Sequence, residues 1–193
     1  MSSPWKVCDF SRKDIDRAGQ VLRDTNSEKN LDAYLDAYSV MDNWRASHSF
    51  PLNTIQMTLR LRANSIDPTS EIVQRLKRAP SVISKLRRFE DMQLSRMQDL
   101  GGCRAIVGSI SQVYAIRDKY LRSRDRHELA TQKNYIETPQ ESGYRGVHLI
   151  FKYLSDRGTT FNGHRIEVQL RTKIQHAWAT AVEIAGVYVR TPL

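Results

Sequence analysis

The sequence predicts an α+β fold, with a mixed β-sheet flanked by helices and a helical N-terminal extension. Three observations support this prediction. Apolar residues recur at helical spacing through residues 1–70, strand-like runs alternate with helical segments over 71–193, and a composition of 40% hydrophobic and 26% charged residues excludes a mainly disordered chain. Because 193 residues can bury one good core, we divide the chain into a helical region, 1–70, and a core domain, 71–193.

The helical region contains three predicted helices. Ser11 is a suitable N-cap, and apolar residues follow it at helical spacing: Ile15, Ala18, Val21 and Leu22. The run NLDAYLDAYSVMDNW continues this pattern. Pro51 and Asn53 are expected to interrupt it before a third helix over 54–64, and residues 63–70 are expected to form a hinge to the core domain.

The core domain is predicted to mix helices and strands. In order, the expected elements are a helix in SVISKLRRFEDMQLSRM, a buried strand in CRAIVGSI, an amphipathic helix in SQVYAIRDKYLRS, strands near 128–136, 147–155 and 164–171, and a helix from Lys173 to Ala185. We expect this last helix, with its HAWA run, to pack tightly on the sheet. Its His176 is expected to contribute to that packing or to reach a phosphate.

The charge is unevenly distributed along the chain. The net charge is +9, and residues 1–70 carry nine basic and nine acidic residues, whereas 71–193 carry 21 basic and 12 acidic ones. Such a field concentrates polyanions such as nucleotides or RNA, although a basic solvated surface without a ligand has the same composition.

Cysteine usage and hydropathy exclude several classes of protein. Cys8 and Cys103 are far apart, without a CxxC pair or histidines at ligand spacing, so neither a disulfide framework nor a zinc site is indicated. The opening MSSPWKVCDFSRKD lacks the apolar segment of a secretory signal, and no run reaches the roughly 20 apolar residues of a membrane span. We therefore expect a cytoplasmic protein without a membrane partner.

A basic segment, RLKRAPSVISKLRR, contains no acidic residue. Its six cations are Arg75, Lys77, Arg78, Lys85, Arg87 and Arg88. Pro80 and Ser81 are suited to begin a helix, whose positive N-terminal end would add to these charges. The segment is a candidate cradle for a polyphosphate; the alternative is a solvated helix face.

Two acidic residues are candidates for a magnesium site. Asp99 stands before a double glycine and a strand that carries Arg104, and a carboxylate there can bind Mg²⁺ or merely cap a turn. In RIEVQLRT, alternation places Glu167, Gln169 and Arg171 on one face, which lines a site or forms a solvent-facing edge. Glu167 is the natural second acid, because phosphoryl-type transfer needs charge neutralisation and an activated hydroxyl.

Four motifs in order resemble the synthetase domain of the RelA/SpoT family of alarmone synthetases. They are RLKRAPSVISKL, QDLGGCR, YIETPQESGYRGVH and IEVQLRT. The resemblance implies a nucleotidyltransferase-like fold and a pyrophosphokinase that moves the β,γ-diphosphate of ATP to a ribose 3′-hydroxyl. For ATP it implies that Arg75 and Arg104 sandwich the adenine and that Lys77 and Lys85 hold the phosphates.

The same resemblance assigns the catalytic and acceptor residues. Asp99 would bind Mg²⁺, and Glu167 would assist the metal or activate the 3′-hydroxyl. Tyr144 would stack on the acceptor base, with Arg145 and His148 beside its ribose or phosphates.

The acceptor itself stays open at this point. Gln140 replaces the lysine that usually follows the proline of the acceptor loop, and small toxic members of the family act on the 3′-terminal adenosine of tRNA or on adenosine nucleotides. A guanosine nucleotide, GDP or GTP, and tRNA are therefore both expected acceptors, and the tRNA type implies a possible antitoxin partner. A non-catalytic nucleotide- or RNA-binding regulator is the alternative from a different class.

Overall fold

The computed structural model describes residues 5–26, 30–123 and 126–189, with side chains to residue 186. Six helices and five strands occur in this part of the chain. The elements are α1 Arg12–Arg23, α2 Leu31–Ala46, α3 Ser49–Asn64, β1 Glu71–Leu76, α4 Ala79–Arg88, β2 Gly101–Val107, α5 Ile110–Arg122, β3 Glu128–Asn134, β4 Val147–Lys152, β5 Arg165–Thr172 and α6 Lys173–Val189.

The strands form one mixed sheet in the order β1-β2-β5-β4-β3. Strand β5 runs parallel to β2 and antiparallel to β4, while β1–β2 and β3–β4 are antiparallel pairs. The predicted α+β class is thereby confirmed. The sequence did not predict β1, because this edge strand is short and mostly exposed and so lacks a clear apolar alternation.

The N-terminal helices begin largely where the sequence predicts. Ser11 caps α1 through a capping box with Asp14. The interruption predicted at Pro51 and Asn53 is wrong, because α3 already begins at Ser49. Proline is tolerated in the first turn of a helix, where a backbone N–H has no intrahelical partner to lose.

Helix α4 starts at the predicted proline but is shorter than expected. Pro80 lies in its first turn, and the helix ends at Arg88, where Phe89 adopts an extended conformation. A short 3₁₀ helix, Leu94–Arg96, follows. Leu94 and Met97 lie in this irregular segment and are buried. Their three-residue spacing is also that of buried residues in a helix, so the sequence predicted a longer helix.

Two apolar clusters hold the fold together. In one, α3 and α5 pack on the apolar face of β2, β4 and β5, and in the other α1, α2 and α4 pack around the 3₁₀ segment. The connection predicted as a hinge is anchored at Asp67, which is buried and accepts hydrogen bonds from the backbone N–H groups of Thr69 and Gly108. Since α3 shares its core with the sheet, the division at residue 70 stays a prediction.

Helix α6 is not pressed onto the sheet, contrary to expectation. Ile174 and Trp178 are 83% and 52% exposed. The helix starts directly where β5 ends and touches mainly β5 and β2, so most of its length projects past the sheet. No helix in the described ranges has the length and apolar character needed to cross a membrane.

Candidate active site

The candidate site lies on the polar face of β2, β5 and β4. Glu167 and Gln169 alternate along β5 with buried apolar residues, as the sequence predicts. The strand register sets Glu167 beside Gly102 and Gln169 beside Arg104 of β2. On the other side, His148 of β4 is opposite Gln169. The sheet therefore collects residues from distant motifs on one surface.

Asp99 is held at the mouth of β2 by two lysines. Its Oδ2 accepts hydrogen bonds from Lys77 Nζ at 3.0 Å and Lys85 Nζ at 2.9 Å. Burial alone would raise the pKa of Asp99, but the two ammonium groups outweigh it and hold the pKa below its ordinary value. Its Oδ1 is buried without a hydrogen-bond partner.

Glu167 is held in place by contacts to both of its carboxylate oxygens. Oε1 lies 2.9 Å from His148 Nδ1, and Oε2 accepts a hydrogen bond from Gln169 Nε2 at 2.6 Å. Burial raises the pKa of Glu167, whereas the contacts with His148 and Gln169 lower it further than burial raises it. The carboxyl is therefore ionised at neutral pH.

Both acids line one cleft of about 230 Å³ together with Arg75, Lys77 and Arg104. Arg75 comes from β1 and Arg104 from β2, neighbouring strands of the sheet. Four cations predicted to bind ATP are therefore gathered around the two acids, since Lys85 reaches Asp99 from α4. Such a cleft is suited to a polyphosphate and a divalent cation.

The glycine turn before β4 presents Tyr144 to the same face. Gly143 has φ +74°, a region that glycine adopts without strain. The Tyr144 hydroxyl lies 2.5 Å from His148 Nε2, and the Arg171 guanidinium lies 4.5 Å from the centroid of the Tyr144 ring. Burial raises the pKa of Tyr144 to about 12 against the opposing effect of Arg171, so the phenol stays neutral.

Arg145 lies apart from the other predicted site residues. It is exposed and lines a separate cleft of about 440 Å³ with Ile110 and Trp178. The Trp178 indole N–H donates to the Ser142 carbonyl at 3.3 Å. Helix α6 therefore supports the acceptor loop from the side on which Arg145 lies.

A sequence comparison identifies the family to which this chain belongs. The family profile described as "Region found in RelA / SpoT proteins" matches residues 74–190, more than half of the chain. The chain belongs to the RelA/SpoT family. The predicted enzyme class, a pyrophosphokinase, is confirmed by this match together with the two relatives below, which are both named GTP pyrophosphokinases.

Two curated relatives come from Bacillus subtilis strain 168. The GTP pyrophosphokinase YwaC is 24% identical over 160 residues, which cover 75% of this chain and 75% of YwaC. The GTP pyrophosphokinase YjbM is 28% identical over 118 residues, which cover 58% of this chain and 54% of YjbM.

A solved structure of small alarmone synthetase 1 from Bacillus subtilis, bound to its product pppGpp, shares the fold. The TM-score is 0.66 at 20% identity, over 76% of this chain and 79% of that chain. This likeness confirms the predicted fold, a mixed β-sheet flanked by helices.

The two carboxylates of the cleft, those of Asp99 and Glu167, are also suited to bind a divalent metal ion. The buried, unpaired Oδ1 of Asp99 is an acceptor without a donor, and Glu167 shares the cleft. In the described part of the chain, no three His, Cys, Asp or Glu residues come together as a metal site. A pair of carboxylates suits Mg²⁺, which keeps water and substrate phosphates as its other ligands.

Two site residues were given no role from the sequence, Gln169 and Arg171. Both point to the cleft side of β5, and Arg171 is buried there beside Tyr144. His176 of α6 also approaches this face, with Nδ1 3.3 Å from Arg104 Nη1. The signal for the β5 residues was the same two-residue period that identified Glu167.

Proposed function

We propose that this protein transfers the β,γ-diphosphate of ATP, with Mg²⁺, to the ribose 3′-hydroxyl of a guanosine nucleotide. The observation that carries the proposal is the pairing of Asp99 and Glu167 in one cleft with cations on β1, β2 and α4. A covalent nucleophile is not needed, because charge neutralisation and positioning provide most of the catalysis in phosphoryl transfer.

On the ATP side, the cations of the cleft divide into two pairs. Arg75 and Arg104 line the cleft from neighbouring strands and would hold the adenine between their planar guanidinium groups. Lys77 and Lys85, now bonded to Asp99, would contact the phosphates. Mg²⁺ held by Asp99 and Glu167 would neutralise phosphate charge when bound.

On the acceptor side, Glu167 is the group that would take up or orient the 3′-hydroxyl proton. Its carboxylate is ionised and fixed by His148 and Gln169. The attacking 3′-oxygen forms a bond to the β-phosphorus as the bond to the α-phosphate oxygen breaks, so AMP leaves. Tyr144 would stack on the acceptor base, and His148 would stand beside its ribose.

Two comparisons support a guanosine acceptor. YwaC and YjbM are both named GTP pyrophosphokinases. Small alarmone synthetase 1 from Bacillus subtilis has been solved with its product pppGpp. The expected product here is therefore a guanosine nucleotide carrying a 3′-diphosphate, an alarmone.

A second acceptor, the 3′-terminal adenosine of tRNA, is favoured by one residue. Gln140 stands where the family usually has a lysine, and Glu141 follows it, so this part of the loop offers no cation to a 5′-diphosphate. A tRNA brings many backbone phosphates that a basic surface can contact diffusely. A toxic enzyme of this kind would need an antitoxin partner.

A panel of acceptors tests these proposals. The protein is incubated with γ-labelled ATP, Mg²⁺ and GDP, GTP, AMP or deacylated tRNA, with Asp99→Asn as the control. We expect label on a guanosine nucleotide, AMP as the leaving group, and no transfer by the control. Label on tRNA alone, or on AMP alone, would show that this molecule, and not a guanosine nucleotide, is the acceptor. Release of pyrophosphate would indicate a nucleotidyltransferase. Binding of ATP without transfer to any acceptor would overturn the proposed activity and favour a regulator.

A further inference from the structure

Gln169 contacts the groups of both substrate sides through one amide. Its Oε1 accepts hydrogen bonds from Arg104 Nε and from Arg171 Nη2, each at 2.9 Å. Its Nε2 donates to Glu167 Oε2 at 2.6 Å. Arg104 belongs to the proposed ATP side, Arg171 packs on Tyr144 of the proposed acceptor side, and Glu167 lines the same cleft as Arg104.

Only one orientation of the Gln169 amide serves all three partners. The guanidinium groups have donors but no acceptor, and the ionised carboxylate accepts only. With the amide reversed, nitrogen would face two donors and oxygen would face a carboxylate. The partners therefore fix the amide, and the amide in turn fixes them.

The side chains that contact Gln169 have few other contacts that fix their positions. Arg171 is buried, and its Nε has no hydrogen-bond partner, so the bond from Nη2 to Gln169 satisfies part of a buried guanidinium. Repulsion between the charges of Arg104 and Arg171 contributes, after burial, to lowering the pKa of Arg104. An acceptor placed between two such cations is needed to keep them adjacent.

We propose that Gln169 is the positioning residue that aligns the ATP side with the acceptor side, by holding Arg104, Arg171 and Glu167 in one arrangement. This inference rests on the proposed function. The amide oxygen and the amide nitrogen of Gln169, called here the oxygen arm and the nitrogen arm, have separate roles. The oxygen arm orders the arginines and supports substrate binding, and the nitrogen arm holds Glu167 and supports transfer.

Two substitutions separate the arms. Gln169→Glu keeps an acceptor for both arginines but replaces the donor to Glu167 by a second carboxylate. Gln169→Leu removes both arms at similar volume. Gln132, an exposed residue of edge strand β3 outside the cleft, gives matched controls as Gln132→Glu and Gln132→Leu.

The measurements are binding of α,β-methylene ATP with Mg²⁺ and steady-state kcat with γ-labelled ATP, on variants with unchanged melting temperature. We expect Gln169→Glu to bind the analogue within about threefold of the unmodified protein and to lose about 100-fold in kcat, a typical loss for a displaced acid–base group. Gln169→Leu should show a similar loss in kcat and also bind the analogue about tenfold more weakly, about 1.4 kcal/mol for an arginine left without its acceptor. Both Gln132 variants should match the unmodified protein.

Two results would overturn the inference: unchanged analogue binding by Gln169→Leu, or unmodified kcat in Gln169→Glu. If the unmodified protein transfers no label to any acceptor, the proposed function fails. The binding comparison still decides whether Gln169 orders Arg104, because it does not depend on turnover.

Discussion

Two clusters of histidines and aromatic rings in the described part of the chain differ in the groups that contact their histidines. In the interior, Trp44, His48 and His164 pack with ring centroids 4.6–4.7 Å apart. In the cleft, the rings of Tyr144 and His148 lie 5.5 Å apart, edge to face, and His148 also contacts Glu167. We propose that the first cluster stabilises the fold and that the second takes part in the chemistry.

In the interior cluster, the histidine nitrogens that form hydrogen bonds do so with uncharged groups, and His48 Nε2 has no hydrogen-bond partner. His48 Nδ1 lies 2.8 Å from the Trp44 carbonyl, and His164 Nδ1 lies 2.9 Å from the Phe161 carbonyl. Burial lowers the pKa of His48 to about 3 and that of His164 to about 4. Both rings stay neutral in the folded protein over the physiological range.

The cleft cluster replaces those carbonyls by an acid and a phenol. His148 bridges Glu167 and the Tyr144 hydroxyl. Residue type alone would have marked both clusters as candidate sites. The charged partner and the open cleft distinguish His148, the histidine proposed to act in the site, from His48 and His164.

The largest expected effect concerns the acid of the cleft cluster. Glu167→Gln keeps the size of the side chain but removes its charge, so transfer from ATP should fall by about 10³-fold, while the free energy of unfolding changes by less than about 1 kcal/mol. Transfer is measured with labelled ATP and stability by urea unfolding. Retained transfer would remove Glu167 from the mechanism.

For the interior cluster we expect an effect on stability and not on transfer, because the free energy of unfolding should depend on pH. Since both folded pKa values are lowered, the unfolded chain binds protons first, and stability is lost as pH falls from about 6.5 toward about 4. Each histidine should cost about 2 kcal/mol between pH 7 and pH 5, about 4 kcal/mol together. Urea unfolding at the two pH values measures this loss. In His48→Leu the loss should shrink by about half, and an unchanged loss would contradict the assignment.

Tyr144 tests which part of the cleft cluster serves binding. Tyr144→Ala removes the ring that would stack on the acceptor base, which is worth about 1–3 kcal/mol, so the acceptor KM should rise by about 10- to 100-fold. Tyr144→Phe keeps the ring and loses only the hydroxyl, which contacts His148, and its KM should rise by less than about tenfold. Steady-state kinetics with varied acceptor measure both. Equal effects of the two changes would show that the hydroxyl, not the ring, matters.

The smallest effect concerns the turn that presents Tyr144. Gly143 has φ +74°, and an added Cβ would lie 3.3 Å from Trp178 Nε1. Gly143→Ala should cost about 1–2 kcal/mol in the ordered loop and raise the acceptor KM by several-fold, with the KM for ATP unchanged. Gly158→Ala is the control, because nothing lies within 4 Å of its Cβ. Identical KM values for both variants would mean that the turn does not set Tyr144.

The sequence predicted the parts of the fold that have strong local signals. Capping at Ser11, the proline at the start of α4 and the alternation of β5 each depend on neighbouring residues, and the structure has all three. The sequence did not predict β1 or the exposure of α6, because both depend on what the rest of the chain covers.

Within the site too, the sequence could predict features with local signals but not those that depend on the assembled fold. Asp99 and Glu167 could be picked out because Asp99 stands just before β2 and Glu167 lies within β5, and both strands have a recognisable pattern. The position of Arg145 could not, because Gly143 and the indole of Trp178 decide the course of the loop. The bridging role of Gln169 needs the register of β2 against β5, which is a property of the assembled sheet.

The most direct test of the central claim, that Asp99 and Glu167 perform diphosphoryl transfer in one cleft, is a count of products. AMP and 3′-diphosphorylated acceptor are measured in the same reaction for the unmodified protein and for Glu167→Gln. We expect one AMP per transferred diphosphate in the unmodified protein and about 10³-fold less of both products from the folded variant. AMP or ADP without modified acceptor, or equal product from the variant, would contradict it.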